Sequence, residues 1–311
     1  MAAVTETRPE YEAPNPVAAA VWRACIEELE APKPGNVSFA SAGHGMTAAD
    51  FVASARCAAD VLGTPDLSLG ERVLGAVEAT RAAVGRNTNL GIVLLCAPLA
   101  QAALAGDPGR SLRDTLVRVL DEAGVEDTQR VFDAIRLAGP AGLGERPRHD
   151  VRRSAAAPLL AVMREAEGRD RVARQYARQF EDVFDLGLAA LARSRARWPG
   201  PQAVVALYLT FLARFKDSHI ERKLGSVAAQ RVRLEARRLV ERLDGSASAD
   251  MDAGALTRFD RSLKSRGINP GTSADLTVAT LLAGNLLQRE GQSRRGPTSA
   301  GRGWNWNYVK E

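Results

Sequence analysis

Apolar residues recur three and four apart along almost all of this 311-residue chain, and no stretch alternates as a half-buried strand would. That periodicity restricts the fold to packed helices, so the expected class is all-α. Helices are predicted over about 15–30, 47–62, 68–84, 90–104, 202–215 and 273–289, with further starts at Ser111 and Thr128. Single unbroken helices are predicted over 168–195 and 218–243. Asn15-Pro16 supplies an N-cap followed by proline in the first turn, and Thr47-Ala-Ala-Asp50 and Ser68-Leu-Gly-Glu71 have capping-box form. Residues 90–104 are so apolar that their helix belongs at the centre. The expected organisation is a flexible N-terminus over 1–14, one large helical domain over 15–290, and a Gly/Arg/Trp tail over 291–311.

Aromatic residues make up only 5% of the chain against 45% hydrophobic, so the core must be built from Ala, Leu and Val. The net charge of +5 suits a phosphorylated ligand, and equally a solvated basic surface. Cys25, Cys57 and Cys96 lie in helical patterns without paired spacing and read as reduced thiols of a cytoplasmic protein. The first sixteen residues have no signal-peptide core, and no apolar run is long enough to cross a bilayer, so a membrane is not an expected partner.

The polar chemistry gathers between helices. In 31–45, APKPGNVSFASAGHG, two prolines stiffen the path around Lys33 while Gly35 allows close backbone approach. Such a loop can hold a phosphate, or it can be a plain helix stop with an exposed lysine. His44 stands between two glycines in the same loop. In 85–91, GRNTNLG, Asn87, Thr88 and Asn89 precede the apolar helix and are placed to bind an anion or simply to cap. The glycine-rich GPAGLG at 139–144 lacks the P-loop pattern and reads as a helix-ending turn. In 215–225, FKDSHIERKLG, Asp217 and Glu221 share a helix face beside His219, Arg222 and Lys223. Carboxylates so spaced can hold Mg²⁺ bridged to phosphates, and a surface capping box is the structural alternative. In 269–276, NPGTSADL, Thr272 and Asp275 are expected to cap the last helix reciprocally, which leaves Asn269 and the Pro-Gly turn unexplained. No Ser-His-Asp order, zinc cluster or dinucleotide fingerprint competes.

In this order the stretches resemble one family, the triphosphoribosyl-dephospho-CoA synthases, over roughly residues 17–288. The family's PKPG-V motif is matched by Pro32-Lys33-Pro34-Gly35-Asn36-Val37, and its glycine-flanked histidine by His44. Its N-T-H-K-G is matched by Asn87-Thr88-Asn89-Leu90-Gly91, and its D-T-N type motif by Asp217-Ser218-His219 followed by Arg222-Lys223. Its P-G-G-S-A-D-L is matched by Pro270-Gly271-Thr272-Ser273-Ala274-Asp275-Leu276. The chain departs from the family at Asn89-Leu90, where His-Lys is usual, at His219-Ile220-Glu221, and at Thr272 in place of glycine.

The resemblance implies an all-α enzyme using ATP as sugar donor. The 2′-hydroxyl of dephospho-CoA attacks C1 of the ATP ribose and adenine leaves. Carried over, it makes Asp217, Glu221, Asp275, His44 and His219 the catalytic candidates, with acid and base unassigned. Lys33, Gly35, Asn36, Asn87, Thr88, Asn89, Arg222, Lys223, Asn269, Gly271 and Ser273 would bind substrate, and Asp217 with Asp275 would carry Mg²⁺. A homo-oligomer is compatible with this reading, and nucleic acid is not an expected partner. Two other readings stand beside it: ribosyl transfer to a tetrahydromethanopterin-type C1-carrier precursor, and a non-catalytic helical binder of nucleotides or nucleic acid using the WNWNY tail.

Overall fold

The computed structural model describes residues 9–107, 109–245 and 251–295, with side chains to 291. Among them the chain forms fourteen α-helices and two isolated β-bridges, with no sheet. In chain order the helices are α1 (Pro16–Glu30), α2 (Ala48–Leu62), α3 (Leu69–Val84), α4 (Leu90–Ala105), α5 (Leu112–Glu122), α6 (Val125–Ala138) and α7 (Leu159–Ala166). There follow α8 (Arg171–Ala177), a π-helical turn (Asp182–Gly187), α9 (Leu188–Arg197), α10 (Pro201–Arg214), α11 (Ser218–Leu224), α12 (Ser226–Asp244), α13 (Ala253–Ser265) and α14 (Gly271–Arg295). The expected flexible N-terminus and the expected tail fall largely outside the described residues, and the first five residues of that tail, 291–295, continue α14.

Helices α4, α10 and α14 form the centre, with α1 packed across α14. The run Ile92–Ala100 of α4 is buried throughout, as its composition requires. Pro98 sits inside α4 and has no N–H for the carbonyl of Leu94. The buried Tyr176 hydroxyl donates to that carbonyl at 2.6 Å, so the helix continues without an orphan acceptor.

Two long helices expected from the pattern are broken. Residues 168–195 become α8, a π-turn and α9. Asp170 caps α8, and Gln179 and Phe180 then adopt φ of 51° and 57°. The Phe180 ring is fully buried there, so packing overrides the local helical pattern. Arg171 and Gln175 both bond Asp182 across the break. Residues 218–243 divide at Gly225, whose φ of 87° ends α11. Helix α6 begins at Val125 rather than Thr128 because Asp127 takes the Gly124 N–H at 3.0 Å. Helices α7 and α13 lie outside the predicted elements.

Candidate functional site

The five polar stretches meet on one cavity of about 740 Å³ at the N-terminal ends of α4, α11 and α14. Its wall continues over the 139–151 loop and the α7–α8 junction.

Asp275 stands in the first turns of α14 and lines this cavity. It is not the reciprocal cap that its spacing suggests. Its carboxyl makes no hydrogen bond or salt bridge among the described residues. Burial, together with the nearby charges of Asp217 and Glu28, raises its pKa well above the ordinary carboxylate value. Facing it is Gly91 of α4, where any Cβ would collide with the carboxyl. The glycine therefore keeps room for an acid group between two helix starts.

The α14 N-terminus is capped instead by Asp217. One oxygen of Asp217 accepts the N–H groups of His219 (3.0 Å) and Ile220 (3.2 Å) and so caps α11. The other accepts the Ser273 N–H (2.7 Å) and hydroxyl (2.8 Å). Asp217 is 1% exposed and does not reach the cavity wall, and Ser273 is fully buried. Both oxygens are saturated by these four donors. Asp217 as a metal ligand is thus corrected to a junction between two helices. Among the described residues no group of three His, Cys, Asp or Glu side chains is placed to hold a cation. The side chains present do not fit a Mg²⁺ held by Asp217 and Asp275.

His219 lines the cavity beside Gly271, where a Cβ would come within 2.6 Å of its Nδ1. Burial and the charges of Arg222 and Lys223 lower its pKa to about 4, so the ring is neutral at pH 7. Glu221 also lines the wall, its carboxylate paired with Lys216 at 2.5 Å. Arg222 is drawn to Asp170 (3.3 Å) and to the Ala141 carbonyl (2.9 Å). Lys223 is exposed, at the cavity, and without a bonded partner among the described residues.

Lys33 is not presented outward. It is 1% exposed, and its ammonium donates to the carbonyls of Glu28 (2.6 Å), Ala31 (3.1 Å) and Val37 (3.2 Å). The Glu28 carboxylate lies 3.2 Å away. Lys33 closes the end of α1 from inside and is absent from the cavity wall, while Glu28 is on it. Gly35 serves packing too: at φ 79° it gives its N–H to Asp260, and a Cβ would meet Leu263 of α13 at 2.8 Å. Its carbonyl is 2.9 Å from His44 Nε2, which stands outside the wall.

Asn36 and Asn269 both line the cavity and are joined at 2.9 Å, tying the first loop to the last. Asn87 and Thr88 line it as well. Asn87 rather than Asn89 caps α4, through the Leu90 N–H at 3.1 Å. Asn89 is buried and bonds Thr80 at 3.1 Å. Sequence reasoning missed Glu28, Arg146, His149, Glu165, Arg169 and Asp170 on the wall. Only Asp170 carried a local signal, a capping aspartate at the start of α8.

Residues 14–294 match the family described as ATP:dephospho-CoA triphosphoribosyl transferase. A candidate triphosphoribosyl-dephospho-CoA synthase from Archaeoglobus fulgidus has a similar fold, at TM-score 0.59 and 23% identity. That match covers 76% of this chain and 96% of the other. No curated protein matches the sequence. No helix among the described residues is long and apolar enough to cross a membrane.

Proposed function

Because the chain belongs to the ATP:dephospho-CoA triphosphoribosyl transferase family, we propose that the cavity at the starts of α4, α11 and α14 is where its reaction runs, with Asp275 as the acid and His219 as the base. The enzyme transfers the triphosphoribosyl group of ATP to the 2′-hydroxyl of dephospho-CoA and releases adenine. The bond from C1 of the ribose to the adenine nitrogen breaks with its electron pair going to adenine. The bond from the acceptor oxygen to C1 forms.

Two protons must move. Adenine leaves as a neutral base only if it gains one, and a carboxyl whose pKa is raised is a suitable donor. Burial and the neighbouring negative charges of Asp217 and Glu28 raise the Asp275 pKa well above the ordinary carboxylate value, which favours its protonated form. The acceptor hydroxyl loses its proton as C1 becomes electron-poor, and the neutral His219 ring can take it. Glu28 and the ionised Asp275 left after proton transfer supply negative charge near the oxocarbenium-like centre. Asn36, Asn269, Asn87 and Thr88 offer hydrogen bonds to ribose and base. The observation that carries this assignment is the unpartnered Asp275 carboxyl kept clear by Gly91.

Mg²⁺ enters no step of this scheme. A cytoplasmic setting fits the three free cysteines. Nothing in the site favours the C1-carrier precursor or the non-catalytic reading over dephospho-CoA. The test is chromatographic detection of adenine from ATP, with and without dephospho-CoA. Release that requires dephospho-CoA supports the assignment of substrate, and release without it, or none, refutes it.

A further inference from the structure

Most charges on the cavity wall are neutralised by a neighbour. Glu28 pairs with Lys33, Glu221 with Lys216, and Asp170 with Arg222. Asp150 is held by Arg152, and Glu165 lies near Arg148 and His149. Among the described residues three cations of the wall are left over. Lys223 has no partner, Arg146 gives only its backbone N–H to Asp150, and Arg169 reaches only the Glu165 carbonyl. All three line the same cavity.

The segment that carries Arg146 is braced. Asp150, 5% exposed, accepts the Arg146 N–H at 2.8 Å and the Arg152 N–H at 2.9 Å, and pairs with the Arg152 guanidinium at 2.6 Å. At the other end of the loop Gly142, with φ 78°, lies so close to the Arg222 backbone that a Cβ has no room. The Ala141 carbonyl accepts from Arg222 Nε. The loop is thereby fixed to α11, and Arg222 in turn to Asp170 beside Arg169. One continuous wall results, in which structural arginines (Arg152, Arg222) are consumed by bracing and others (Arg146, Arg169) remain uncommitted. An uncompensated group of guanidinium and ammonium charges in a concave site selects a multiply charged anion.

We propose that Arg146 and Arg169, with Lys223, form a polyphosphate subsite on this wall. The inference rests on the transferase reading for its two natural sources, the triphosphate of ATP and the diphosphate of dephospho-CoA. Lys33 has no part in the subsite, and the glycine-rich turn at 139–144 acts as its mount.

Inorganic tripolyphosphate is the probe, titrated calorimetrically into the wild type and into Arg146→Gln, Arg169→Gln and the double variant at fixed salt. Each single change removes charge-assisted hydrogen bonds, so binding should weaken about 10-fold, and further in the double variant. Arg153→Gln, an exposed arginine of the same segment off the cavity wall, should bind as the wild type does. Thermal melting checks that each variant is folded. The KM values then separate the sources: a rise confined to ATP assigns the subsite to the triphosphate, and one confined to dephospho-CoA assigns it to the diphosphate. Tripolyphosphate binding that is absent from the wild type, or unchanged in the double variant, overturns the proposal. Because this titration needs no turnover, intact binding without adenine release would sink the transferase assignment and leave the subsite standing.

Discussion

Asp217 accepts both the backbone N–H and the hydroxyl of Ser273, at 2.7 and 2.8 Å, across 56 positions of sequence. The same carboxylate caps α11. The consequence is that α14 needs no cap of its own, and Asp275, in its first turns, is released toward the cavity. Asp217→Ala should therefore lower stability by about 3 kcal/mol, since it strands buried N–H donors at two helix starts. Chemical denaturation reads this directly. A variant as stable as the wild type but inactive would instead make Asp217 a reacting group.

Lys33 and Glu28 form a buried pair, and removing one partner should cost more than removing both. Lys33→Met is expected to destabilise by about 3–5 kcal/mol, because Glu28 keeps an unpaired carboxyl. Adding Glu28→Gln should recover a large part of that loss in a double-mutant cycle. If Lys33→Met folded normally and only raised the KM for ATP, the lysine would be a phosphate ligand after all.

His219 gives a pH signature. Its folded pKa of about 4 lies below the ordinary 6.5, so the neutral ring's contribution is present above 6.5 and is lost as pH falls toward 4. Relative to His219→Gln, the wild type should lose up to about 3 kcal/mol across that window, at about 1.4 kcal/mol per pH unit. Parallel stability curves for the two proteins would show that the ring titrates normally.

Asp275 gives the opposite sign. Its folded pKa is raised above 3.8, so its contribution is full below that value and is lost as pH rises through the folded pKa. Asp275→Asn should thus melt higher than the wild type at about pH 8, with the gap closing toward about pH 4. No pH dependence in the gap would place the carboxylate in water.

Gly91→Ala inserts a methyl group against the Asp275 carboxyl. We expect a loss of about 1–3 kcal/mol from overpacking together with loss of turnover. Full activity in the alanine variant would mean that the two helix starts are not held this close.

The helices are legible in the sequence because burial of α1, α2 and α3 follows the 3.6-residue period, and because the apolar runs of α4 and α10 are too long for strands. The breaks at Gln179–Phe180 and Gly225 are not, since a fully buried Phe180 in a left-handed conformation is decided by packing against distant helices. The site is legible as a set of stretches but not as a division of labour. Spacing within 269–276 suggests that Asp275 caps its own helix, whereas the cap on Ser273 comes from Asp217, 56 positions earlier in the chain. Lys33 looks presentable because its flanking prolines stiffen the chain, and the sequence carries no sign that the end of α1 folds its carbonyls over the ammonium. Arg146 and Arg169 lie in no motif, and only the tertiary pairing of their neighbours shows them to be uncommitted.

If Asp275 protonates the departing adenine, removing its acidic proton must slow adenine release. The most direct test is the rate of adenine release from ATP and dephospho-CoA by Asp275→Asn, with its melting curve taken alongside. Asp275→Asn should fold, release adenine at least about 100-fold more slowly, the size expected for loss of a general acid, and retain tripolyphosphate binding. A folded Asp275→Asn that releases adenine at the wild-type rate would contradict that role for Asp275.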